Sequence, residues 1–205
     1  MPSPHPRDRR AAALLAAAGL AVLLAAGACA SDASAPVRSF DPTTPCTTDG
    51  QQPGAYPELE ALLPDAWESA APANVDSGRT CTKQGLGTLA GHGIEGLRFA
   101  GATWDMGGTG GMTMAVFEAD RLDPELMVEF YEAGARTARR TDKYQVTDTT
   151  VGGKPAKRLD VLGSDGTGQT VVAWPGDEPG RVKVLLAADV GDATVARVLE
   201  AFGSR

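Results

Sequence analysis

Histidine, asparagine and isoleucine are almost missing: the 205 residues hold His5 and His92, the single Asn74 and the single Ile94. The shortage of histidine narrows the chemistry at once. A Ser-His-Asp set would have to use His92, and no Gly-x-Ser-x-Gly elbow accompanies it. A zinc site would have to combine His92 with carboxylates, because neither His-Glu-x-x-His nor paired Cys-x-x-Cys spacing occurs. Basic charge is also short, with 19 Lys and Arg against 26 Asp and Glu. That balance argues against a nucleic-acid partner, whose phosphates call for a concentrated basic face. It equally disfavours electrostatic docking on an anionic leaflet. No apolar run reaches the roughly 20 residues of a membrane-spanning helix.

The longest apolar run is Ala11–Ala26, and its flanks are informative. Arg7, Arg9 and Arg10 precede it, and Ala26-Gly27-Ala28 end it immediately before Cys29. A basic head, a short apolar segment and a small-residue cleavage site make a secretory signal peptide. A cysteine directly after that site resembles a bacterial lipobox, with Ala26 where leucine is commonest. The resemblance implies that Cys29 is acylated and becomes the mature N-terminus. The expected division is therefore a signal peptide at 1–28, an acylated Cys29 with a flexible tether to residue 45, and one extracytoplasmic domain at 46–205. Residues 30–45, rich in Ala, Ser, Pro, Asp and Thr, bury little and reach at most about 50–55 Å. The expected location is the outer face of the cytoplasmic membrane, held by lipid. Removing residues 1–28 takes out three arginines and Asp8, leaving 16 basic and 25 acidic side chains, a net charge of −9. The abundance of Ala, Gly, Arg, Asp and Thr is similar to that of GC-rich genomes, and with the lipobox it resembles actinobacterial lipoproteins.

With Cys29 acylated, Cys46 and Cys81 remain, an even pair in an oxidising compartment. A bridge between them closes a 36-residue loop, which the chain-entropy account values at about 3–4 kcal/mol.

Three helices are expected. A short one near Pro57 carries Leu59, Leu62 and Leu63 and stops at Pro64. The longest runs from an Asp123 N-cap, through Pro124 at the first helical position, to about Arg140. Its stripe is Leu126, Phe130, Ala133 and Thr137, widened by Met127 and Tyr131. The last opens at Asp192, with Val195, Val198, Leu199 and Phe202 on one face. Six strands are expected at Ile94–Trp104, Met112–Glu118, Tyr144–Val151, Lys154–Leu162, Thr170–Trp174 and Arg181–Asp189. Gly152-Gly153 is a two-residue loop suited to a type I′ hairpin. Short turns imply antiparallel neighbours, so the expected fold is α+β: an antiparallel sheet of about six strands with two longer helices and one short N-terminal helix.

The long helix, the Val151-Gly152-Gly153-Lys154-Pro155-Ala156 hairpin, Val171-Val172-Ala173-Trp174-Pro175, a Val/Leu-rich strand and a closing helix together resemble the layout of Mog1/PsbP-like domains. The resemblance spans roughly residues 55–203 and implies a binding module without catalysis; it transfers no functional residue.

The remaining candidates are few. His92 reads as a histidine in a glycine-flanked loop. The stretch Gly107–Gly111 lacks the Gly-Lys-Ser/Thr ending of a phosphate loop and reads as a flexible hairpin tip. Asp160, Asp165, Asp177, Glu178 and Asp189 fall near hairpin ends as a solvated acidic surface. A cleft between sheet and helices, lined by Trp104, Phe117, Phe130 and Tyr131, is the default apolar ligand site. No cofactor or metal is expected. The function expected is a non-catalytic, lipid-anchored binding or accessory protein for an envelope protein or small ligand. The alternative is a cell-envelope hydrolase using His92 or paired carboxylates.

Overall fold

In the computed structural model, which describes residues 40–203, the elements run β1 (Gly50–Gln52), α1 (Pro57–Glu60), β2 (Asn74–Thr80), α2 (Lys83–Leu86), α3 (Thr88–Gly91), β3 (Leu97–Gly107), β4 (Gly110–Glu118), α4 (Pro124–Thr137), β5 (Thr141–Val151), β6 (Lys154–Gly163), β7 (Gly168–Pro175), β8 (Arg181–Ala188) and α5 (Asp192–Gly203). Cys29, the signal segment 1–28 and the tether up to residue 39 lie outside the described residues. No described helix is long and apolar enough to cross a membrane.

The strands form one antiparallel sheet of eight, ordered β1-β2-β3-β4-β8-β7-β6-β5. After the β3–β4 hairpin, α4 carries the chain to the far edge, and three successive hairpins bring it back until β8 pairs with β4. The central strands are apolar on both sides, which only a sheet covered on both faces can bury. One face places Ala100, Ala102, Trp104, Met112, Met114, Val116, Trp174 and Leu185 under α1 and α5. The other places Phe99, Ala115, Phe117, Val171, Val184 and Leu186 under α2, α3 and α4. Trp174 and Phe202 meet edge to face with ring centres 5.4 Å apart, pinning α5 to the sheet.

Local signals explain the clearest elements. Asp123 Oδ1 accepts from Leu126 N at 2.9 Å, and Pro124 fills the first helical position of α4. Gly152 and Gly153 both adopt positive φ, at 57° and 78°, as a type I′ turn demands. Val151 therefore faces Lys154 directly across the two-residue loop.

Three expectations change. The sheet has eight strands rather than about six, because β1 and β2 were not anticipated. The β2 sequence, Asn-Val-Asp-Ser-Gly-Arg-Thr, lacks a strand's usual apolar alternation; its pairing with β3 and the adjoining Cys81 hold it in place. There are three short helices rather than one, since α2 and α3 are single turns broken by Gly85, Gly87 and Gly91. The long helix stops at Thr137, whose Oγ1 donates back to the Ala133 and Gly134 carbonyls, and Ala138 is already extended. Its buried centre is Met127 and Val128, so the stripe is rotated from the one anticipated.

Residues 40–45, read above as the end of the tether, pack on the domain. The Phe40 ring fills the space where a Cβ on Gly50 would stand, and lies 6.0 Å from Tyr56. Arg79, 3% exposed, donates to the Thr44 and Thr48 carbonyls at 2.7 and 3.2 Å and stacks over Phe40 at 4.7 Å. Cys46 and Cys81 are joined, with Cα atoms 5.3 Å apart, within the range disulfides span.

Candidate functional site

Strand parity decides which side chains meet. In β3 the residues Arg98, Ala100, Ala102 and Trp104 share one face; in β4, Met112, Met114, Val116 and Glu118 do. Phe117 belongs to the opposite face, with Phe130 and Tyr131 of α4 packed near it. The proposed aromatic cleft is thus divided by the sheet itself. Trp104, 3% exposed, donates from Nε1 to the Ala70 carbonyl at 2.9 Å in one core. Phe117 is buried in the other core, and Phe130 meets Tyr131 edge to face at 5.4 Å. Burial pushes the Tyr131 phenol far above its ordinary value, and its hydroxyl has no hydrogen-bond partner among the described residues.

His92 caps α3, and its Nε2 lies 3.0 Å from Glu129 Oε2 on α4, with both side chains nearly half exposed. Among the described residues no serine joins this pair, and no group of three His, Cys, Asp or Glu side chains is placed to hold a metal ion.

The same parity that buries Ala100 and Val116 carries charge at the strand ends. Arg98, Glu118 and Arg181 stand side by side across β3, β4 and β8. Glu118 accepts from Arg98 through Oε1, and from Arg181 Nη2 and Nε through Oε2 at 2.6 and 3.0 Å. Burial alone would raise the Glu118 carboxyl, but the two guanidiniums outweigh it and hold it below its ordinary value. Glu58 of α1 reaches Arg98 at 3.3 Å, and Glu178 of the β7–β8 loop reaches Arg181 at 3.0 Å. These five side chains line an open groove of about 570 Å³, with Cys46, Gly96 and Asp120 on its rim. The arrangement suits polar recognition: guanidiniums held by Glu118, with the exposed carboxylates of Glu58 and Glu178 beside them. Sequence reading missed it, although charged residues at core-facing parity in apolar strands were its visible signal.

The scattered acids have separate employments. Asp165 accepts from the Thr167 amide and hydroxyl in a turn, and those bonds lower its carboxyl. Asp177 takes Lys154 at 2.8 Å and Lys183 at 3.7 Å. Asp189 Oδ1 accepts from Gly168 N at 2.8 Å. Asp160 and Asp192 share Arg158, and Asp160 also accepts from Thr170 at 2.7 Å. Asp160, Asp189 and Asp192 line a second open groove of about 380 Å³ at the start of α5. The Gly107–Gly111 stretch forms the tip of the β3–β4 hairpin, where Asp105 Oδ1 accepts from Gly107 N at 2.8 Å.

No protein-family model, curated protein or solved structure gives a significant match to the chain.

Proposed function

We propose that this is a lipid-anchored extracytoplasmic protein, acylated at Cys29, that binds an envelope protein or small ligand and is not catalytic. The observation that carries the anchoring half is the cysteine arithmetic: Cys46 and Cys81 are joined, and of three cysteines only Cys29, behind a signal-like segment, is left over. Support for binding comes from the Arg98–Glu118–Arg181 row. Its guanidiniums are held in place by a half-buried carboxylate while their outer partners, Glu58 and Glu178, are more than half exposed and able to yield to a ligand's polar groups. Four acids against two arginines along the groove suit a partner that offers amide or basic groups there. The membrane enters as the anchoring partner through lipid alone, and nucleic acid does not enter.

A palmitate analogue fed to expressing cells tests the anchor. Label should follow the wild-type chain and vanish with Cys29→Ala, which should leave the membrane fraction; continued labelling of that variant refutes acylation at Cys29. Photocrosslinking from intact cells tests the groove, since Arg98→Ala should lose adducts that the wild type forms. The hydrolase reading retains the His92–Glu129 contact in its favour; it requires His92→Ala to abolish an envelope-hydrolysing activity.

A further inference from the structure

The connection from α1 to β2 supports an inference that depends neither on anchoring nor on the arginine groove. Residues 65–71 lie between Pro64 and Pro72, and the chain is fixed just outside them. Leu63 N donates to the Glu60 carbonyl at 3.0 Å, and Ala73 N to the Thr103 carbonyl at 2.7 Å. Between those posts the backbone bonds only to itself: Trp67 N to the Ala70 carbonyl at 3.0 Å, and Ala70 N to the Trp67 carbonyl at 2.9 Å. Among the described residues no other backbone segment is bonded to it. Six of its seven residues are exposed, and the seventh, Trp67, is half-buried against the core below.

The turn at its tip is strained. Glu68 and Ser69 follow one another at φ 47° and 69°, where the β5–β6 hairpin places Gly152 and Gly153 at 57° and 78°. Glycine adopts such angles freely, whereas in Glu68 and Ser69 the Cβ crowds the backbone. Strain of this kind persists only where surrounding contacts outweigh it, and the contacts here are few. Trp67 packs on the core, and Trp104 Nε1 donates to the Ala70 carbonyl at 2.9 Å. Glu68 Oε1 meets Arg197 Nη1 of α5 at 3.0 Å, and the same guanidinium lies 5.8 Å from the Trp67 ring centre. Arg197 and Glu68 are 59% and 52% exposed, so that ion pair holds weakly.

We propose that residues 65–71 form a lid that opens over Trp104 while the sheet stays folded. The motion is local because the backbone bonds of Leu63 and Ala73 lie outside the two prolines. Opening breaks the Trp104–Ala70 hydrogen bond, lifts the Trp67 ring off the core and returns Glu68 and Ser69 to ordinary backbone angles. Trp104 itself stays in place, since β3 is paired there through Thr103 with Asn74 and through Trp104 with Met112. Trp104 is 3% exposed with the lid closed; opening uncovers its indole face and frees one donor, Nε1. An occupant of that space needs apolar surface and one acceptor, which Trp67 and the Ala70 carbonyl provide when the lid is closed.

Exchange of the Trp104 indole proton, followed by NMR on the full chain with Cys29→Ser, tests the lid independently of acylation. Measured against intrinsic rates, its protection should be at least about tenfold lower than that of the Ala102 and Met114 amides, which open with the sheet. Its rate should also be indifferent to low urea, because a small opening exposes little surface. Replacing Glu68→Asn and Ser69→Gly together gives the pair that such a turn accepts without strain, and should slow the exchange by about fivefold or more. An indole proton protected as strongly as those amides, a rate that rises with urea in step with theirs, or an unchanged rate in the double variant overturns the proposal.

Discussion

The two edges of the sheet are built on opposite principles. At the β1 edge three residues of strand suffice because everything around them is cross-linked: the Cys46–Cys81 bridge, Arg79 buried among the Thr44 and Thr48 carbonyls, and Asp49 accepting from the Cys81 and Thr82 amides at 2.6 and 2.8 Å. At the β5 edge, 11 residues present side chains that are mostly exposed on both faces. The first edge is adjacent to the segment arriving from the N-terminal side, and it is sealed. The second lies farthest from it in strand order, and it is open. Sealing by covalent and buried polar contacts permits a polar strand such as β2, whereas an open edge must rely on its own hairpin.

That contrast can be broken at four points. Replacing Cys46 and Cys81 together by alanine should cost about 3–4 kcal/mol of unfolding free energy, read by chemical denaturation; a change within about 0.5 kcal/mol would mean that the β1 edge is sealed without its bridge. Arg79→Met removes three donors to the 44–48 segment and should cost about 1–3 kcal/mol, with faster hydrogen exchange confined to β1 and β2. Glu118→Gln, between the edges, should alter the acid limb of the melting curve. Because the folded carboxyl titrates below its ordinary value, its contribution is complete above the unfolded pKa of about 4.3 and lost as pH falls through the folded value. The wild type should therefore lose stability more steeply below about pH 4.3 than the glutamine variant; parallel curves would contradict the paired-carboxylate account. Val146→Lys should move stability by no more than about 0.5 kcal/mol, because at the open edge its side chain supports little within one copy.

What could be read from the chain follows the same division. The hairpin with Gly152-Gly153, α4 with Asp123-Pro124, and α5 with Val195, Val198 and Phe202 are local signals, and each is found in the structure. β2 escaped because Asn74, Asp76, Gly78 and Arg79 carry no strand pattern, and only its neighbour and the bridge make it one. The aromatic set Trp104, Phe117, Phe130 and Tyr131 failed to assemble for a reason of register. Trp104 pairs with Met112, and Phe117 lies an odd number of residues beyond Met112, so the sheet separates them. The Arg98–Glu118–Arg181 row needed the β4–β8 pairing, a contact between strands far apart in sequence.

Residue-resolved hydrogen exchange on the full chain tests the open edge most directly. In dilute solution the amides of Gln145, Thr147 and Thr149 should be protected, while those of Tyr144, Val146 and Asp148 exchange rapidly. Uniform protection along β5 would contradict an unpaired edge.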